Sequence, residues 1–289
     1  AHVRAVQALG LRYILWVAPF MVGDASTAAA QRAGLLLAHN DFLHCGWLSP
    51  WRQETATIVG DLLQRLLVDY GLDGLKLDFI DSVRDRGARP ADADFASLGE
   101  GLYTILATAV ERIATLRPDL LIELRNPYSN LAGRRYGNLF RASDVPINFQ
   151  WNRWQVVLLR LLAPDRAVHL DPALWHPEDT DENVAVHLIN LLASVPMVSV
   201  DLEQHPPSHL ALIRHWIGFY RDHRQTLVHG DFAPEFRLGH VPLIRFGSAD
   251  ERIIGVYDDV AFTVGDEAWP VWLLNASTRP YLDFLDGER

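Results

Sequence analysis

A single cysteine among 289 residues excludes any internal disulfide, so the fold must stand on its core alone. The same scarcity is compatible with a reducing compartment; the compartment itself stays open, with the cytoplasm the favoured side. Positive charge is in deficit as well. Lys and Arg number 26 against 36 Asp and Glu, a formal charge of -10, and no basic face is found, which excludes nucleic acid as the main partner. No apolar run reaches the roughly 18 residues of a membrane span, so no membrane partner is expected. No glycine-rich phosphate loop follows any strand, which leaves nucleotide cofactors without support. Twelve His invite a metal reading. However, of the pairs His169 with His176 and His205 with His209, the second is split across Pro206-Pro207 without a shared helical face. No cofactor and no metal are therefore expected. The chain opens on a helical pattern (Val3, Val6, Leu9) without a basic n-region or cleavage site, so no signal peptide is visible in it.

What is present is ordinary globular composition, 49% apolar and 21% charged, enough for one barrel-sized domain or a domain plus an appendage. Nine Trp are many for this length; such rings serve packing and also suit sugar faces.

The stretch Gly71 to Phe79 organises the rest. Gly71 closes an amphipathic helix as its C′ residue, Asp73-Gly74 turns the chain, and Leu75 to Phe79 reads as a short buried strand. Alternation along that strand places Lys76 and Asp78 on the same face. An acid at the carboxyl end of a parallel strand, with a cation two residues earlier, is a candidate nucleophile or base; the plain alternative is a helix cap or a salt-bridge partner.

Leu11 to Val17 is an earlier strand, and residues 20 to 52 form a long connection containing Trp47 and Trp51. Glu54 to Tyr70 is a helix with Ile58, Leu62, Leu66 and Tyr70 on its apolar face, and a polar loop runs from Asp81 to Asp94. A second helix carries Leu98, Leu102, Ile105, Leu106, Ala109 and Ile113, and Leu120 to Arg125 is a strand. Leu139 to Asp144 is another strand ending in an acid, Trp151 to Leu162 a helix, and Ala167 to Leu170 a strand before Asp171-Pro172. Asp179 to Ala193 is a helix, Pro196 to Val200 the last strand of the series, and Ser208 caps a helix through Tyr220. The alternation predicts a parallel α/β fold of (β/α)8 type over residues 1 to 225. From Thr226 the short strands Pro242–Phe246, Arg252–Tyr257 and Val271–Leu274 have no helix between them and predict a small antiparallel β domain over 226 to 289.

Asp78 and Asp144 thus sit at the carboxyl ends of two barrel strands. Two carboxylates facing one cavity are what glycoside hydrolysis needs, about 5–5.5 Å apart in retaining enzymes. Lys76 would favour ionised Asp78, while Val145 and Pro146 would let Asp144 hold a proton. Glu123 and Arg125 share a strand face; for Glu123 a salt bridge to Lys76 or Arg125 is the stronger expectation. Trp175 could stack on a sugar or roof the barrel.

The runs Leu15-Trp16-Val17-Ala18-Pro19-Phe20, Gly74-Leu75-Lys76-Leu77-Asp78-Phe79 and Tyr136 to Pro146 resemble the α-galactosidase (melibiase) branch of the retaining glycoside hydrolases of clan D. The order and spacing match to about Arg224, and the C-terminal strands resemble the β-sandwich that follows the family's barrel. The resemblance implies a TIM barrel represented by strands three to eight, lacking its first two, with a C-terminal sandwich that is either whole or shortened. It implies a glycoside or oligosaccharide substrate, with Asp78 as nucleophile and Asp144 as general acid/base. Trp16, Lys76 and Arg125 would line the sugar subsite, and Arg141, Asp171 and Trp175 would accompany them. Where many members carry a Cys and a Ser-Gly-Gly run after the fifth strand, this chain has Glu123-Leu124-Arg125-Asn126-Pro127, which bears on the choice of sugar. The alternatives are an α-glucosidase- or α-N-acetylgalactosaminidase-like enzyme or a transglycosylase of the clan. In another class stands a non-catalytic carbohydrate-binding barrel fragment. An open barrel with unpaired edge strands would self-associate, so a homo-oligomer is an expected state.

Overall fold

The computed structural model describes residues 1–25, 33–83, 89–265 and 269–285. The chain forms two compact units, Ala1–Phe140 and Arg141–Arg289.

In the first unit, helix α1 (His2–Ala8) precedes strand β1 (Ile14–Val17), which pairs in parallel with β5 (Gly74–Leu77). Strand β5 pairs in parallel with β6 (Leu121–Arg125). The register sets Trp16 beside Lys76 and Lys76 beside Glu123, so one row of side chains crosses three strands on a common face. Gly74 is required where β5 meets β6, because a Cβ there would lie 2.3 Å from the Leu121 carbonyl oxygen. Asn138 continues the sheet with its side chain: its Oδ1 accepts from Ile122 N at 2.8 Å and its Nδ2 donates to Leu120 O at 2.8 Å. It leads directly into β7 (Leu139–Arg141).

Helix α2 (Glu54–Tyr70) ends where the sequence places its end, with Gly71 in the left-handed region at φ +63°. Its buried stripe, however, is Val59, Leu63 and Leu67 rather than Ile58, Leu62 and Leu66, and Tyr70 is exposed. The doubled leucines at 62–63 and 66–67 make two adjacent apolar stripes, and only one can face helix α3 (Leu98–Ala114). Ser97 caps α3 by accepting from Glu100 N, and Ile105, Leu106, Ala109 and Ile113 are buried as the periodicity predicts.

The long connection after β1 is not irregular. Strands β2 (Met21–Gly23), β3 (Leu36–Asn40) and β4 (Cys45–Leu48) form an antiparallel sheet in the order β2, β4, β3, with Trp47 in its core. Residues 26–32 of that connection, and 84–88 of the polar loop expected over Asp81 to Asp94, lie outside the described residues.

The second unit opens with Arg141, the last residue of β7. Ala142 N then donates to His169 O of β8 (Ala167–His169). Helix α4 (Phe149–Leu162) is capped by Asn148, and α5 (Asp181–Leu191) by Thr180. The strand expected over Pro196 to Val200 is reduced to parallel bridges, His169 with Val195 and Ala173 with Val198. Helix α6 (Pro207–Asp222) starts on Pro207, so Ser208 lies inside its first turn and is not its cap. Strands β9 (Asp231–Arg237), β10 (His240–Gly247) and β11 (Arg252–Val256) pair antiparallel. Strand β12 (Ala261–Phe262) follows, and β13 (Val271–Asn275) joins β11 in parallel, which corrects the purely antiparallel expectation. Parallel partners need a crossover, and the segment between β11 and β13 is long enough to make one. Strand β14 (Asp283–Phe284) pairs with β12. Among the described elements the parallel α/β alternation that the sequence predicts is present.

Candidate active site

In the first unit the carboxyl end of β5 delivers Asp78 one residue past the strand. Phe79 follows at φ +55°, a left-handed conformation uncommon for a bulky residue. That turn aims its backbone N–H at Asp78 Oδ1, 2.8 Å away. Arg125 Nε, at the end of β6, donates to the same oxygen at 2.8 Å, and the Tyr128 hydroxyl donates to it as well. Trp16 Nε1, from β1, donates to Oδ2 at 2.7 Å. Burial by itself would raise the Asp78 carboxyl; the hydrogen bonds from Tyr128, Trp16, Phe79 and Arg125 outweigh it and hold the group well below the usual carboxylate range. Burial and the neighbouring Asp78 in turn push the Tyr128 phenol upward, so it remains a donor.

Lys76 does what the register dictates and pairs with Glu123 at 3.6 Å. The salt bridge expected of Glu123 is thus present. The donors on Asp78 come from Arg125, Trp16, Tyr128 and the backbone, in the place expected for Lys76. Trp16 is 51% exposed, so its ring keeps an open face while its indole N–H is engaged; Phe79 meets it edge-on with centroids 5.9 Å apart.

In the second unit Arg141 is buried and divides its guanidinium between two acids. Its Nη2 donates to Asp144 Oδ1 at 2.6 Å, and its Nη1 donates to Asp171 Oδ1. Asp171 Oδ2 accepts from Val145 N, and the Asp171 backbone is clamped on both sides by Asn152, at 2.8 and 3.0 Å. Burial pushes the Asp171 carboxyl up, against the opposing pull of Val145 N–H and Arg141. The apolar surroundings expected for Asp144 are absent: its side chain is 66% exposed and ion-paired. Val145 and Pro146 follow it in the chain without enclosing it. Trp175 is 4% exposed and packs against His187 and His205, so it presents no open stacking face.

His205 and His209 prove closer than their sequence context implies, with Nδ1 atoms 3.0 Å apart, and His209 Nε2 lies 3.0 Å from Asp179 O. Among the described residues, no group of three or more His, Cys, Asp or Glu could hold a metal ion.

Tyr128 is the residue that sequence reasoning missed. It lies in a loop without periodicity, three residues beyond Arg125; the one available signal was its position just past a strand's carboxyl end, where side chains reach a site.

No protein-family model and no curated protein matches the chain. Solved structures do. A variant of the GH36 α-galactosidase AgaA from Geobacillus stearothermophilus, in complex with raffinose, matches with TM-score 0.64 and 14% identity over 86% of this chain and 36% of that one. The galactosidase domain of the α-galactosidase-sucrose kinase AgaSK matches with TM-score 0.62 and 15% identity over 84% and 34%. TtGalA, an α-galactosidase from Thermus thermophilus in complex with p-nitrophenyl α-D-galactopyranoside, matches with TM-score 0.54 and 16% identity over 85% and 52%. The chain spans about a third of the length of the AgaA and AgaSK structures. Over most of its own length it has the fold found in part of the GH36 α-galactosidases.

Proposed function

We propose that this chain carries the catalytic residues of a retaining glycoside hydrolase that cleaves terminal α-galactosides. The observation that carries the reading is Asp78: a buried carboxylate at a strand's carboxyl end, kept ionised by four hydrogen bonds. Its Oδ1 takes three donors and its Oδ2 only Trp16, which leaves Oδ2 the oxygen with a lone pair for attack. In this reading Oδ2 bonds to the anomeric carbon as the bond to the leaving oxygen breaks, and Asp144 gives that oxygen its proton. Asp144 then takes a proton from water, whose oxygen displaces Asp78 and restores the starting configuration. The Asp144 side chain is 66% exposed, so solvent water can reach it for both proton transfers. Trp16, Lys76 and Arg125 line the sugar subsite, and Arg141 and Asp171 position Asp144. The residues belong to a (β/α)8 barrel, of which residues 1 to 225 supply strands three to eight, with a β-sandwich over 226 to 289.

The run Glu123 to Pro127 favours a second reading of the same mechanism on another sugar, because Arg125 occupies a position that bears on specificity. Release of chromophore from an aryl α-galactoside, with the α-glucoside alongside and Asp78→Asn as control, separates the two. Galactoside turnover that vanishes in Asp78→Asn supports the proposal. Turnover of the glucoside alone keeps the mechanism and discards the sugar, and galactoside turnover unchanged by Asp78→Asn discards the mechanism.

A further inference from the structure

We propose that the second unit holds a separate binding subsite for a pyranose ring of a neutral glycan, in a cavity of about 250 Å³ between the first turn of α4 and the turn joining β9 to β10. The inference goes beyond the catalytic reading and does not depend on it.

A pyranose offers an apolar C–H face and a rim of hydroxyls, and a site for it needs aromatic surface beside hydrogen-bonding groups of both signs. Trp151 and Trp154 line this cavity, with Asn148, Gln150 and His240 beside them. Trp151 is 49% exposed, and Trp154 is braced edge-on by Phe236 with centroids 5.6 Å apart, so its ring is oriented before any ligand arrives. Asn148 Oδ1 is engaged with Trp151 N at 2.9 Å, which turns its Nδ2 into a fixed spare donor. Among the described residues the side chains of Gln150 and His240 make no hydrogen bond or ion pair. Leu238 and Gly239, at φ +39° and +84°, make the tight turn that presents His240.

Arg153 also lines the cavity. It is buried, with its guanidinium 4.4 Å from the Tyr257 ring centroid and hydrogen-bonded to Asn190 Oδ1. A desolvated cation there accommodates hydroxyls and penalises a wholly apolar occupant. Two indoles, two amides and an imidazole around one ring-sized space are the chemistry of sugar recognition, and none of them is used in the proposed reaction.

The test is affinity electrophoresis of the full chain in native gels containing soluble galactomannan, with far-UV circular dichroism as the fold control. The wild type is expected to be retarded, and Trp151→Ala to bind roughly tenfold more weakly, as loss of one aromatic face requires. Gln150→Ala, an exposed position that leaves packing intact, is expected to weaken retardation in the same direction. Both variants are expected to turn over an aryl α-galactoside at the wild-type rate. Unretarded wild type, or retardation that survives both substitutions, overturns the subsite. So does retardation lost in Asp78→Asn instead, which assigns binding to the catalytic residues. Trp151-dependent retardation in a chain that cleaves no glycoside supports the subsite while sinking the catalytic reading.

Discussion

Asp78 in the first unit and Asp171 in the second are carboxylates of nearly equal exposure, 9% and 7% at the side chain, each beside an arginine. Yet the first is held below the usual range and the second is pushed above it. Burial cannot account for the difference; the supply of donors can. Asp78 receives a guanidinium, a phenol, an indole and a backbone N–H, whereas Asp171 has one backbone N–H and an arginine it shares with Asp144. A carboxylate out of water stays an anion only when enough donors replace the water it lost. The first unit holds a buried anion, and the second ties an exposed Asp144 to a buried Asp171 through one arginine.

The largest expected effect comes from removing the anion. Asp78→Asn should lower kcat on an aryl α-galactoside by about 10³-fold or more, as loss of a nucleophile does. Equal activity in mutant and wild type would break the comparison at its first term. Next is the shared arginine. Arg141→Leu strands Asp171 without its cation and should cost about 3–5 kcal/mol in urea unfolding, a loss of stability rather than of chemistry alone. A denaturation midpoint unchanged by Arg141→Leu would show that the second cluster is not a scaffold.

Tyr128→Phe removes one donor from Asp78, a hydrogen bond to a charged group worth about 1.5–3 kcal/mol. Burial then counts for more, the Asp78 carboxyl rises, and the acid limb of kcat/KM should move to higher pH. An unmoved limb would show that Tyr128 does not hold the anion.

The smallest effect concerns stability against pH. Because the folded pKa of Asp78 is depressed, its contribution is present above the unfolded value near 3.8 and is lost as pH falls through the folded one. Asp171 has the opposite sign, since its raised folded pKa makes its contribution decline as pH rises from the unfolded value through the folded one. Asp171→Asn should therefore flatten the decline in urea midpoint over that window, and a steeper decline would contradict the assignment.

The contrast was only half legible in the sequence. Gly71, the β5 run and the acid after it announce themselves through turn chemistry and a short apolar run, so the position of Asp78 could be read directly. Its donors could not be, because three of them come from β1, β6 and a loop brought near only by parallel pairing. Nearness in sequence points to Lys76 as the charge beside Asp78. The register gives it to Glu123 instead, a cross-strand fact invisible to periodicity. The buried face of α2 is not legible in the sequence because paired leucines satisfy two stripes equally. The sheet β2, β4, β3 was hidden by strands too short to show alternation. The chain neighbours of Asp144 are apolar, whereas the solvent around its side chain depends on packing.

The most direct test is to trap the intermediate with a slow-reacting 5-fluoro-α-galactosyl fluoride and map the adduct by peptide mass spectrometry. The expected result is one fluorogalactosyl group on the peptide carrying Asp78, at that carboxylate. An adduct on any other carboxylate, or steady turnover of the reagent without a covalent species, would contradict the role assigned to Asp78.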